Sequence, residues 1–263
     1  MKTREFLLDR PVFSLEEAAK ALPGGKPRVF QRLQHYVKTK RLRPVARGVY
    51  ATIPPGVRAQ RFQPDAFLVA AAARPDAVFA YHSALELLGA SHSEWTRFTV
   101  CTTRRRAPVV LGRFKIAFLE HPPGLKRSQQ TSLGVRTLDR EGRTLKVTGP
   151  ERTLVDGFRR PDRVGGVGEL VESASGFGVL NLKLLARLLE AYGEKSLWAA
   201  AGWFLERYRR TFFTPDSVLA AFESRRPKAP HYLEPRYRGG RFVRRWNLIL
   251  PEELVGPQEP NER

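Results

Sequence analysis

The residues best suited to chemistry in this chain are cations, and their spacing suits binding more than catalysis. Lys26, Arg28, Gln31, Arg32, His35, Lys38, Lys40, Arg41, Arg43 and Arg47 follow one another with no carboxylate between them, and no acid occurs from Glu17 to Asp65. Arginine can grip a guanine edge at two points and glutamine an adenine edge. Cations on phosphate oxygens set affinity and register whatever the base sequence. A helix opening at Pro27 would send Arg28, Gln31, Arg32 and His35 toward base edges or nearby phosphates in a major groove. Lys26, Lys38, Lys40, Arg41, Arg43 and Arg47 would then mainly hold phosphates, with a minor groove as a second option for Arg47. The plain structural alternative is a small hairpin whose arginines are merely solvated.

Material for catalysis is thinner. The five histidines, at 35, 82, 92, 121 and 231, lack metal-ligand spacing, and the single Cys101 cannot build a thiolate zinc site. No Gly-x-Ser-x-Gly elbow or phosphate-binding Gly-x-x-x-x-Gly-Lys loop occurs. "GGVGEL" at 165–170 lacks the third glycine of the dinucleotide-binding pattern Gly-x-Gly-x-x-Gly and the strand that should precede it, so it reads as a turn ahead of a helix. His82 and Ser83 are adjacent, and neighbours on a helix point apart, so Ser83 reads as a residue opening that helix. Glu151, Arg152 and Asp156 are the richest charged cluster. The spacing of Arg152 and Asp156 predicts an ion pair on one helix face, at the surface or half-buried.

Composition agrees with a polyanionic partner. The 263 residues carry 46 Lys and Arg against 26 Asp and Glu, a net charge of +20. A basic surface attracts phosphates, and binding releases their condensed counterions. Residues 1–64 hold a net +10 and residues 225–245 a net +7, so two basic segments sit on a nearly neutral body. The second contains Arg236, Arg238, Arg241, Arg244 and Arg245, which could form a further anionic contact. No apolar run reaches the ~18 residues of a membrane span, and "MKTREFLLDR" is too charged for a signal peptide. These features and the lone cysteine fit a cytoplasmic protein.

The elements that must position the cations follow from local signals. Residues 2–9 suggest a short first helix. Ser14 and Glu17 form a capping box for the next, with Leu15, Ala18, Ala19 and Leu22 as its apolar face, and "PGGK" breaks it. Val29, Leu33 and Val37 then mark the buried stripe of the basic helix. "LRPVARGVYA" predicts a hairpin, Leu42–Val45 against Val49–Thr52, around Arg47-Gly48. Two helices, a glycine turn and a hairpin read as a winged helix-turn-helix over residues 1–58. Residues 53–64 look like a linker. Residues 59–263 read as a C-terminal domain: a small mixed sheet within about 65–148, helices over about 149–224, and a basic tail over 225–263. The fold class is therefore α+β. Helix caps are expected at Asn181, Ser196 and Thr214-Pro215, and a hairpin turn near Asp139–Gly142.

"ARGVYA", "YHSALELLGA", "PERTLVDGF" and "RVGGVGEL", in this order and spacing, make the chain resemble the AbiEi-type antitoxins of the abortive-infection type IV toxin–antitoxin systems. The resemblance runs from about Phe13 to about Leu189 and returns at "YLEP" and "RWNLILP". It implies a non-enzymatic protein without cofactor. Its winged helix would bind inverted repeats in its own promoter, and its C-terminal region would counter a nucleotidyltransferase-type toxin, without requiring stable contact. Two other classes stay open: a winged-helix regulator that senses a small molecule, and a nucleic-acid-processing enzyme with a winged-helix anchor.

Overall fold

The computed structural model describes residues 2–234 and 239–254. It is a mixed α+β protein, with eleven α-helices and three sheets among those residues. They gather into two compact units: residues 2–79, 95–120 and 137–147, and residues 80–94, 121–136, 148–234 and 239–254.

The first unit opens with α1 (Thr3–Asp9), β1 (Val12–Ser14), α2 (Leu15–Ala21), α3 (Gly25–Lys38), β2 (Leu42–Ala46) and β3 (Val49–Thr52). Strand β1 was not expected from the sequence. Val12 and Phe13 are extended because they pair antiparallel with Ala51 and Tyr50 of β3, giving the order β1-β3-β2. Three residues carry no period of their own, so only the distant partner reveals the strand. Phe6, Phe13, Ala18, Leu22, Val29, Leu33, Leu42 and Tyr50 share one core. Phe6 meets Phe13 edge-on at 4.8 Å between ring centres, an arrangement that suits the positive ring edge and negative face.

Helix α4 (Ala66–Ala73) follows, with Asp65 accepting the Leu68 N–H at 2.9 Å. Beyond it the chain runs through β4 (Val78–Phe79), α5 (His82–Leu87), β5 (Arg97–Thr102), β6 (Arg106–Leu111), β7 (Phe114–Glu120), α6 (Pro123–Arg127), β8 (Val135–Arg140) and β9 (Arg143–Thr148). The strands form one mixed sheet, order β6-β7-β5-β4-β9-β8. Phe67 of α4 packs edge-on against Phe79 and Phe98, at 5.2 and 4.9 Å. The β8–β9 turn falls where expected. Glu141 and Gly142 both have positive φ, as a two-residue hairpin demands.

The second unit is built on α7 (Pro150–Arg159), with α8 (Val167–Ser175), α9 (Leu182–Tyr192) and α10 (Lys195–Arg207) packed on it. Residues 150–158 of α7 are all buried. Asn181 caps α9 and Gly193 ends it in the left-handed region, as expected. Three caps differ from expectation. Pro215, not Thr214, occupies the cap of α11 (Asp216–Glu223), without a side-chain cap bond. Glu194, not Ser196, occupies the cap of α10. Tyr81, at φ +59°, occupies the cap of α5, and Ser83 lies buried in its first turn. Helix α11 leads into a three-stranded sheet of β10 (His231–Tyr232), β11 (Arg241–Val243) and β12 (Leu248–Leu250). Between the last two, Trp246 is fully buried and donates from Nε1 to Glu206 at 2.6 Å. Its ring lies where a Cβ on Gly202 would come within 2.1 Å, so only glycine fits there.

Candidate nucleic-acid interface

The basic helix is positioned from both ends. Ser14 N–H donates to Glu17 Oε2 at 2.7 Å and Glu17 N–H to Ser14 Oγ at 3.2 Å, the reciprocal capping box predicted for α2. Gly24 and Gly25, at φ +108° and +69°, make the turn that L side chains would strain. Helix α3 therefore starts two residues before Pro27. It buries Val29 and Leu33 completely. At 100° per residue, Arg28, Gln31, His35 and Lys38 fall together within about 80° of the helix circumference, away from those two. All four are exposed, with no side-chain hydrogen bond or ion pair to another described residue.

The helix ends at Lys38 because Lys40 turns left-handed, at φ +54°, and the Arg41 N–H returns to the Tyr36 carbonyl at 2.9 Å. Lys40 and Arg41 are left exposed. Strands β2 and β3 pair from Leu42↔Thr52 to Ala46↔Val49. Gly48, at φ +70°, completes the turn that exposes Arg47. The Leu15 N–H donates to the Gly48 carbonyl at 2.7 Å, which ties the turn to the start of α2.

Three of the predicted contact residues are engaged by the protein itself. Arg32 is half-buried and donates to Thr3 Oγ1 at 3.1 Å and to the Pro23 carbonyl at 3.5 Å. Lys26 lies 3.5 Å from Glu16, an exposed pair. Arg43 donates to the Phe62 carbonyl at 2.6 Å. In the second basic segment, Arg236 and Arg238 lie outside the described residues. Arg245 is bound to Glu206 and Glu223 and sits 5.2 Å over the Trp246 ring. Arg241 is half-buried and Arg244 exposed.

The charged cluster of α7 corrects the sequence expectation. Arg152 and Asp156 are not at the surface; both side chains are fully buried, 3.6 Å apart. Arg152 donates to the carbonyls of Thr131 and Leu133, at 2.7 and 3.1 Å, and meets His121 Nδ1 at 3.3 Å. Asp156 accepts the Tyr192 hydroxyl at 2.5 Å. Burial raises the Asp156 carboxyl pKa despite the Arg152 guanidinium beside it. Burial, then the Asp156 charge, drives the Tyr192 hydroxyl well above its usual range. Glu151 accepts the Asn181 N–H at 2.8 Å and lies 3.5 Å from Arg136. Sequence signals could not show this depth, because the partners come from four separate segments.

His82 meets a serine, but Ser93 rather than Ser83, at 3.3 Å. The Ser93 hydroxyl donates to Glu169 at 3.0 Å. Its proton is thus directed at a carboxylate and not at the imidazole, the reverse of an activated serine. Burial lowers the His82 pKa, outweighing the opposing pull of Glu169. Among the described residues, no three His, Cys, Asp or Glu side chains are grouped to hold a metal. No helix among them is long and apolar enough to cross a membrane.

Comparison with known proteins fits this architecture. Residues 76–207 match the profile of the AbiEi antitoxin C-terminal domain. A search of curated proteins finds no match. The crystal structure of the RV2827C protein from Mycobacterium tuberculosis is similar in fold, with a TM-score of 0.60 at 18% identity, over 94% of this chain and 89% of that one.

Proposed function

The chain belongs to the AbiEi antitoxin family, and from that membership we propose that it is a DNA-binding antitoxin that represses its own operon and opposes a nucleotidyltransferase-type toxin. An antitoxin role, with a toxin as its counterpart, comes with the family. The finer reading assigns residues 1–58 as a winged helix-turn-helix acting in the cytoplasm, with α3 as the helix that enters the major groove.

One observation carries it: the exposed face of α3 presents Arg28, Gln31, His35 and Lys38 with no carboxylate among them, and among the described residues none of the four side chains is held by a hydrogen bond or an ion pair. Arg28 is the candidate for a guanine edge and Gln31 for an adenine edge, each worth about 1–3 kcal/mol of discrimination. Lys38, Lys40, Arg41 and Arg47 would hold phosphates. Lys26, Arg32 and Arg43 keep donors beyond those used internally and would contribute less. Inverted repeats in the promoter would be the target.

The test is a mobility shift on the DNA upstream of the gene, alongside co-expression with the neighbouring toxin gene. R28A/Q31A should lose the shift yet still rescue growth. Loss of rescue together with the shift would join the two activities and refute the division of labour. An unchanged shift would refute α3 as the reader.

A further inference from the structure

Between Glu94 and Glu120 the chain has no acid and six cations: Arg97, Arg104, Arg105, Arg106, Arg113 and Lys115. All six are exposed. They lie on β5, β6, β7 and their connections, in the same compact unit as α3. Register places Arg97 beside Lys115, and Lys115 beside the exposed Val110, so Arg97, Lys115 and Val110 form one row on one face. Two like charges side by side on a sheet are unfavourable, and no carboxylate in the run relieves them. Edge strands often carry charge to prevent pairing with other chains. Here Pro108 and an irregularity between Arg106 and Val109 already interrupt the β6 edge, and the cations reach inward to Arg97 on β5, two strands from the edge.

Two hydrogen bonds link this hairpin to the candidate interface. Arg43 of β2 holds the Phe62 carbonyl at 2.6 Å, and the next residue, Gln63, holds the Leu111 carbonyl at 2.9 Å. Gly112 lies so close to Gln63 that a Cβ would fall 3.3 Å from its amide oxygen. The turn carrying Arg113 is thus bridged to β2. We propose that the duplex held by α3 and the Arg47 turn continues along the β6–β7 hairpin, where Arg97 and Lys115 grip further phosphates, joined at the turn by Arg113, whose guanidinium lies 4.9 Å over the Phe114 ring. Neighbouring strands stand ~4.8 Å apart, so Arg97 and Lys115 together would meet successive phosphates of a duplex. This extension rests on the DNA-binding reading.

Full-length protein is titrated against a fluorescent duplex of its upstream DNA at several salt concentrations. R97Q/R113Q/K115Q should lower the salt slope by about 2–3 and weaken binding roughly 10- to 100-fold near 0.1 M salt. R97K/R113K should retain both. K183Q/R187Q/K195Q removes the same charge from exposed positions of the second unit and should leave both close to wild type. Wild-type slope and affinity in the hairpin variant would overturn the extension while leaving the α3 reading standing. Equal losses in the second-unit variant would also overturn it, as an effect of net charge. A wild-type protein that ignores the duplex would end both.

Discussion

The exposed face of α3 and the interior of α7 both display arginine, in opposite surroundings. Arg28 projects into solvent with no carboxylate near it on its face. Arg152 is sealed among Asp156, His121 and two carbonyls. A free guanidinium stays available to a phosphate or a guanine edge. A buried one must be satisfied internally, because an unpaired charge out of water is very unfavourable. The lesson is that the same residue type serves as reader or as rivet according to what surrounds it. Arg32 stands between the two cases, half-buried and held by Thr3 and Pro23.

Substitutions can break or sharpen that contrast. Arg152→Met leaves Asp156 buried without its cation and should cost about 3–5 kcal/mol in urea denaturation. Adding Asp156→Asn should recover part of the loss, and a cost below about 1 kcal/mol for the single change would contradict a structural role. Gly202→Ala forces a Cβ into the Trp246 ring and should cost about 1–3 kcal/mol. Arg28→Ala should weaken operator binding about 10- to 100-fold, or 1–3 kcal/mol, while unfolding shifts by less than about 0.5 kcal/mol. Arg32→Ala should divide its effect, lowering stability as well as affinity. Ser14→Ala removes one half of the capping box and should cost about 1 kcal/mol, with affinity falling only as α2 loosens. Glu16→Gln, from an exposed ion pair, should change stability least.

Acid sensitivity separates structural from free charges in another way. Burial alone would raise the Asp76 carboxyl, but Arg74 and the Thr103 N–H and hydroxyl hold it well below the usual range. A carboxyl lowered by folding contributes stability above its unfolded pKa of about 3.9, lost as pH falls toward its folded value. Asp76→Asn should therefore destabilise near neutrality, and the gap to wild type should narrow below about pH 4. A gap unchanged from pH 7 to 2 would contradict the assignment.

Local signals were legible in the sequence, and long-range ones were not. The Ser14–Glu17 box, the Gly24-Gly25 break, the Arg47-Gly48 turn, the Asn181 cap and the Gly193 stop each depend on a few neighbouring residues, and each stands where it was expected. Strand β1 depends on β3, and the burial of Arg152 on segments near residues 121, 131 and 192, so neither leaves a local trace. The α3 cations were readable as a list. Their sorting into free and engaged was not, because Thr3 and Phe62 lie far along the chain from Arg32 and Arg43. The hairpin cations from Arg97 to Lys115 stay hidden in the sequence for a different reason: acids elsewhere cancel them in a count of net charge by large segments.

The most direct test is equilibrium binding of the full-length protein to its upstream duplex and to a scrambled duplex, each across a salt series. Tight binding that weakens steeply with salt on both, with preference for the upstream duplex removed by Arg28→Ala, is the predicted result. Binding that is absent, indifferent to salt, or equally selective after Arg28→Ala would contradict α3 as a DNA reader.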